Sequence, residues 1–198
     1  MPKLGMEPIR KRQLIEATVA TIHAHGFAEA TVKQISAKAG VSSGIIHHYF
    51  GGKDALLAAT MRSMLRDLRG ELVARLVGVK TPEDRLQAVI DASFSPSQFS
   101  GAVQTTWLCF WAQTRHSPTL ARLAHLYLRR LRSNLGYALA DLMPADEAAR
   151  IADGLAALID GLWLTAAVAP KTITPADART LAQDYLAGQQ ALAAARRA

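Results

Sequence analysis

A segment near the N-terminus carries side chains suited to contact a polyanion. Tyr49 offers an aromatic hydroxyl and Lys53 a cation, and both groups bind phosphate oxygens well. Many residues between Thr31 and Tyr49 are small or polar, which permits a close approach to base edges and phosphates. The pattern predicts phosphate contacts by Thr31, Tyr49 and Lys53, and contacts in a nucleic-acid groove by a second set: Ser42, Ser43, Gly44, Ile45, His48.

Two short helices and a tight turn must position these residues. Thr31 and Gln34 form a capping box that starts one helix, and Gly40 ends it. Ser42 is predicted to cap the next helix, and apolar residues supply a small core between the two: Val32, Ile35, Ala39, Val41, Ile46. The pattern predicts a helix-turn-helix, whose second helix enters the major groove of DNA N-terminus first. The alternative is a helical hairpin inside a larger bundle.

The rest of the chain is also predicted to be helical, which makes the fold all-α. A first helix runs from about residue 9 and ends at Gly26, before the helix-turn-helix. Proline and small polar residues separate six further helices, at about 54–77, 82–93, 102–114, 117–142, 145–169 and 174–195. Nine helices divide into a DNA-binding domain at 1–52 and a ligand-binding and dimerisation domain at 53–198.

Composition sets the broad class of protein. The net charge of +7 fits a polyanionic partner, but DNA binding has to rest on the motif. Cys109 is the single cysteine, so no intramolecular disulfide forms and a reducing cytoplasm fits. The N-terminus is polar and does not resemble a signal peptide. The most apolar stretch contains Asp153 and Asp160, which argues against a membrane span and a membrane partner.

The sequence carries no pattern typical of a catalytic or a metal-binding site. His23 and His25, like the pair His47 and His48, lack the i, i+4 spacing of a helical metal site. The sequence contains neither a phosphate-binding loop nor a dinucleotide-binding glycine motif. No pattern groups a serine and a histidine with an acid as a catalytic triad. We therefore expect no metal, no cofactor and no enzymatic activity.

The stretch Ala39–Leu57 resembles the TetR family of repressors. It reads A-G-V-S-x-G-x-x-x-H-Y-F-x-x-K-x-x-L-L. The resemblance implies that the first three helices and the start of the fourth bind operator DNA. It also implies that the remaining helices bind a small ligand, and that the last two form a four-helix interface in a homodimer.

Three further stretches resemble one subgroup of that family, the choline-responsive repressors of glycine betaine synthesis. They are M-P-K-L-G-M-x-x-I-R at 1–10, W-L-x-F-W-A at 107–112 and L-A-A-L-I-D-G-L-W-L at 155–164. The resemblance implies choline, a quaternary ammonium ligand, as the inducer. Proteins hold such cations with aromatic faces and a nearby carboxylate.

The C-terminal domain contains residues suited to that chemistry. Trp107 and Trp111 are four residues apart and share a helix face, so they are the first candidates. Asp160 or Asp91 would supply the counter-charge, and the predicted ligand site is completed by aromatic residues: Phe110, Tyr137, Trp163.

Less specific interpretations remain open for the same residues. Aromatic residues at this spacing usually belong to the core. Trp163 and Asp160 could instead lie in the dimer interface, and Asp160 could pair with an arginine. Two other functions also remain: a repressor of this family with a carnitine-like or drug-like cationic ligand, and a small helical enzyme.

Overall fold

Nine helices account for most of the chain described by the structure, a computed structural model covering residues 5–169 and 171–196. They are α1 (Met6–Glu29), α2 (Val32–Lys38), α3 (Gly44–Phe50), α4 (Lys53–Leu76), α5 (Pro82–Ser93), α6 (Gly101–Gln113), α7 (Pro118–Leu139), α8 (Ala145–Val168) and α9 (Pro175–Ala195). The predicted all-α fold is confirmed. Residues 1–4 of the stretch 1–10, and Pro170, one of the prolines predicted to separate helices, lie outside the described residues.

Local capping interactions explain most helix starts. The Thr31 hydroxyl accepts a hydrogen bond from the Gln34 amide at 3.2 Å, which confirms the predicted capping box. Thr174 caps α9 in the same way by accepting from the Asp177 amide. Each such cap satisfies backbone donors that have no partner inside the helix.

Three predictions on helix ends need correction. α7 ends at Leu139 and not near residue 142, because a turn follows in which the Leu142 amide donates to the Leu139 carbonyl oxygen at 2.9 Å. At Gly26 the backbone takes φ 78° and ψ 172°, which ends the regular helix as predicted, but a further helical turn carries α1 on to Glu29. The N-cap residue of α3 is Ser43, not Ser42, and it caps without a side-chain hydrogen bond. Backbone bonds replace the side-chain cap, since the Ile45 amide donates to the Ser42 carbonyl oxygen at 3.1 Å.

The helices form two compact units, each with its own core. The first unit extends to Arg66 and includes residues 100–124. Its small core joins α1 to the helix-turn-helix and α4 through buried apolar residues: Leu14, Ala17, Ile35, Ile46, Leu56. Against the other side of α1 packs α6, where a Cβ added at Gly101 would lie 3.3 Å from the His23 ring. The His23 Nδ1 atom is 3.1 Å from the Thr105 hydroxyl.

The second unit comprises residues 67–99 and the chain from residue 125 onward. Its core joins α5, α7 and α8 through large buried side chains: Leu86, Ile90, Phe94, Leu135, Leu139, Ile151, Leu155. α9 adds Ala178, Ala182 and Leu186 to this core. These packing units differ from the predicted domains, which divide the chain by DNA contact at residue 52. That functional boundary stays a prediction.

α8 is long and apolar enough to cross a membrane, judged by length and composition alone. Its most apolar window has a mean hydropathy of 1.6, and 44% of that window is buried. Ile151, Leu155 and Ile159 pack in the core of the second unit. A core helix of a soluble protein passes the same test, so this feature is weak support for a membrane span.

A seven-residue connector between α5 and α6 contains no helix but is held by side-chain contacts. Phe94 is fully buried, and its ring centroid lies 5.7 Å from that of Phe99. The Arg179 guanidinium donates to the Phe94 carbonyl oxygen at 3.1 Å. The Trp163 indole N–H donates to the Gln98 carbonyl oxygen at 3.4 Å.

Candidate functional site

The helix-turn-helix is built as predicted around two fully buried isoleucines, Ile35 on α2 and Ile46 on α3. Gly40 turns the chain between the helices with φ 65°, a conformation that favours glycine. The Val41 amide then donates to the Ser36 carbonyl oxygen at 3.0 Å, which holds the turn against the end of α2. One face of α3 is thereby buried and the other is left open.

Most predicted groove residues lie on the open face. Ser42, Ser43, Gly44 and His48 are exposed, whereas Ile45 is half-buried against the small core. Neither serine hydroxyl has a hydrogen-bond partner among residues 5–169 and 171–196. Both hydroxyls can therefore donate to an acceptor outside the chain.

The predicted phosphate contacts differ in how far their polar groups are already engaged. The Thr31 hydroxyl both accepts from the Gln34 amide and lies 3.3 Å from the Gln34 side-chain oxygen. Tyr49 is half-buried, with its ring centroid 4.9 Å from that of His48. Lys53 opens α4, and its ammonium group lies 5.5 Å from the centre of the Phe27 ring.

A second group of polar and aromatic residues includes Asp160 on α8. The Tyr127 hydroxyl, on α7, donates to the Asp160 carboxylate at 2.6 Å. Across the part of the chain that the structure describes, no basic side chain lies within ion-pair distance of that carboxylate. Trp163 follows three residues later on α8 and is buried. We refer to Tyr127, Asp160 and Trp163 as the Asp160 cluster.

Burial raises the pKa of the Asp160 carboxyl above its usual value, and two weaker influences oppose the shift. The hydrogen bond from Tyr127 and the positive charge of Arg132 both lower this pKa. Arg132 itself pairs with the exposed Asp153 at 3.1 Å. Asp160 is thus a partly buried acid whose charge is stabilised by a hydroxyl and only remotely by a cation, contrary to the alternative of a direct arginine partner.

The other predicted ligand residues are placed in varied surroundings. Trp107 and Trp111 share a face of α6, with ring centroids 6.4 Å apart, as their spacing predicted. Phe110 is fully buried, whereas Tyr137 is exposed and its ring faces the Arg85 guanidinium at 5.3 Å. Phe110 thus lies in a core, and Tyr137 already has a protein cation against its ring.

The units divide the predicted ligand residues into two sets. Trp107, Phe110 and Trp111 belong to the first unit, and Tyr137, Asp160 and Trp163 to the second. Within the second unit, Asp91 has Arg179 as its ion-pair partner at 3.8 Å, so it is a weaker counter-charge than Asp160.

Sequence comparison identifies both parts of the chain. Residues 14–60 match the profile of bacterial regulatory proteins of the tetR family, and residues 82–191 match the C-terminal domain of BetI-type transcriptional repressors. A curated relative, the HTH-type transcriptional regulator BetI 1 of Chromohalobacter salexigens, is 51% identical over 96% of this chain and 95% of its own length. The BetI regulator of Brucella anthropi is 45% identical over 96% and 97%, respectively.

The chain belongs to the TetR family, as a BetI-type transcriptional repressor.

Solved structures agree with this BetI-type assignment at the level of the fold. A transcriptional regulator from Pseudomonas aeruginosa PAO1 has a TM-score of 0.78 at 33% identity, over 93% of this chain and 91% of that one. A regulator from Saccharomonospora viridis, solved in complex with choline, has a TM-score of 0.80 at 19% identity, over 90% and 96%. These relatives are regulators, so the family is not an enzyme family.

Sequence reasoning missed one member of the Asp160 cluster in this BetI-type chain. Tyr127 precedes Tyr137 on α7 by ten residues, which turns the two side chains about 80° apart around the helix. Only contact with α8 distinguishes the tyrosine beside Asp160 from the one at the surface. No signal in the sequence would have selected Tyr127.

Proposed function

We propose that this BetI-type repressor binds double-stranded operator DNA as a cytoplasmic homodimer, and that choline binding releases the DNA. It would thereby repress glycine betaine synthesis from choline. The observation that best supports choline as the ligand is the Asp160 cluster, because it combines a partly buried carboxylate, without a close cation, with a buried indole. That the related Saccharomonospora viridis regulator was solved with choline also supports the proposal.

The DNA contacts follow from the exposure of α3 and its surroundings. The short side chains of Ser42, Ser43 and Gly44 stand at the N-terminus of α3, which is the end that enters the groove. His48 lies one turn further along the exposed face. Tyr49, Lys53 and Thr31 would bind phosphates on either side and fix the position of α3.

Lys53→Ala is expected to weaken binding to all DNA sequences, because a phosphate contact carries no sequence information. Loss of one phosphate contact lowers the slope of log affinity against log salt by about one unit. Binding to operator and to unrelated DNA should be measured across a salt series. Lys38→Ala, which removes an exposed lysine at the end of α2, is the matched control. An unchanged salt slope in Lys53→Ala would exclude the phosphate contact.

Choline chemistry matches the Asp160 cluster. A quaternary ammonium has no N–H to donate, so it is stabilised by charge and by aromatic faces. The Asp160 carboxylate supplies the charge and Trp163 supplies an aromatic ring three residues away on α8. Trp107 and Trp111, whose rings are paired on α6, are the second candidate pair for cation binding.

Coupling between choline and DNA is the test of this function. Choline should lower the affinity for the DNA upstream of the gene of this protein, and that DNA should lower the affinity for choline by the same factor. Couplings of this kind are typically about 5–150-fold. Choline affinity should be measured by calorimetry with and without the DNA. Equal affinities would show that choline is not an inducer.

Neutral and charged analogues separate choline from alternative ligands. 3,3-Dimethyl-1-butanol has the shape of choline with carbon in place of the charged nitrogen, so it should bind weakly and leave DNA binding unchanged. Betaine aldehyde, betaine and carnitine test the alternative of a different cationic ligand. Release of DNA by carnitine, with no effect of choline, would favour that alternative.

A further inference from the structure

A cavity of about 590 Å³ lies within the first unit, outside the Asp160 cluster. Its wall is formed by the end of α1, the first half of α4, and the turn that joins α6 to α7. Small-molecule sites in proteins commonly have volumes of about 300–1,000 Å³. The cavity is therefore large enough for a small organic ligand.

The inner wall of the cavity is apolar. Leu57 and Ala58 of α4 and Leu120 of α7 line it and are buried. Phe27, at the end of α1, adds a half-buried aromatic ring. The apolar surface that a ligand body would remove from water is that of the half-buried Phe27 and of the exposed Ala55 and Pro118, which also line the cavity.

The charged residues at the cavity are mostly basic. Lys53 and Arg62 line it, together with one acid, Asp54. Neither Lys53 nor Arg62 has a carboxylate within 4.0 Å in the part of the chain described. The Lys53 ammonium lies over the Phe27 ring, whereas the exposed Arg62 has no side-chain partner among those residues.

We propose that this cavity binds a small organic carboxylate, with its apolar part against Phe27, Ala55 and Pro118 and its carboxylate paired with Arg62. A guanidinium presents a planar set of donors that matches both oxygens of a carboxylate. Lys53 adds positive potential to the same cavity. The ligand class differs in charge from the cation proposed for the Asp160 cluster, so the two sites are chemically distinct.

4-Phenylbutyrate is a suitable probe, because it combines an apolar body with one carboxylate. In calorimetry with the full chain, without DNA or choline, it should bind with a Kd below about 1 mM. Its neutral amide, 4-phenylbutyramide, should bind at least about tenfold more weakly. Because the assay contains no DNA, its outcome does not depend on the proposed contact of Lys53 with phosphate.

Variants locate the binding to this cavity. Arg62→Gln should weaken 4-phenylbutyrate binding at least about tenfold, whereas Arg69→Gln, an exposed arginine on α4 outside the cavity, should leave it unchanged. Ala55→Phe places a ring at an exposed position of the wall and should abolish binding without disturbing the fold. Equal affinity for the acid and the amide, or unchanged affinity in Arg62→Gln, would overturn the proposal.

Discussion

Asp160→Asn is expected to abolish the choline response and to raise the melting temperature of the ligand-free protein. The substitution removes the counter-charge for the cation, so choline affinity should fall at least about tenfold, or about 1.4 kcal/mol. The asparagine side-chain oxygen can still accept the hydrogen bond from Tyr127. The choline site thus depends on a charge that the folded protein accommodates at a cost.

The gain in stability follows from the raised pKa of Asp160. Asp160 has its ordinary pKa in the unfolded chain and a raised pKa in the folded protein. Between these two pH values the folded state binds more protons than the unfolded state, so the free energy of unfolding decreases as the pH rises. Above the folded pKa the full cost of the buried charge is present. Above that pKa the wild-type protein carries this cost and Asp160→Asn does not.

Calorimetry with choline and thermal unfolding measure the two effects. Asp67→Asn is the matched control, because Asp67 is an exposed acid on α4, away from Asp160 and Arg132. Choline affinity should also decrease as the pH is lowered through the raised pKa of Asp160, in wild type but not in Asp160→Asn. Normal choline binding by Asp160→Asn, with loss in Trp111→Leu, would instead place the cation at the tryptophan pair of α6.

A double substitution on α9, Leu181→Glu with Leu192→Glu, is expected to give a monomer that binds operator at least about a hundredfold more weakly. Both leucines are exposed, 46% and 52%, and their spacing of eleven residues places them on one face of α9. Leu164 and Val168, near the end of α8, are exposed as well. These apolar side chains would pair across a two-fold axis in the dimer. A monomer contacts the operator through one helix-turn-helix only, so it loses the avidity that a second contact provides.

Sedimentation at micromolar concentration and a gel shift with the upstream DNA would measure both outcomes. Val77→Glu is the control, because Val77 is 80% exposed just after α4 and outside the predicted interface. A dimeric double variant, or a monomeric wild type, would contradict a four-helix interface formed by α8 and α9. In a dimer, the two α3 helices have to reach major grooves about 34–36 Å apart, or a multiple of one DNA turn.

Local signals were enough to predict the helices. Capping by Thr31 and Thr174 and the turn at Gly40 depend on residues close in sequence, so composition and spacing predict them well. Ser42 shows the limit of this approach. A serine before a helix commonly caps it through its hydroxyl, but at the start of α3 backbone hydrogen bonds take the place of that side-chain cap. Both serine hydroxyls are left unpaired within the described chain on the face predicted to contact DNA.

The candidate ligand site was only partly predictable, because it depends on contacts between helices. Trp107 and Trp111 were identified from their spacing within one helix, and their rings do lie close together. The partner of Asp160 is a tyrosine 33 residues earlier, on a different helix. Hydrophobic spacing shows which face of α7 is buried, but not which residue of α8 each side chain meets.

The connector between α5 and α6 shows that a segment without regular structure can still have a fixed length. Its carbonyl oxygens at Phe94 and Gln98 accept hydrogen bonds from Arg179 and Trp163, which are far away in sequence. An insertion here would move one of these acceptors relative to the other, and with it the indole of Trp163, three residues after Asp160 on α8. Natural variation in chain length is therefore expected to avoid this loop and to concentrate at the exposed turn after α4.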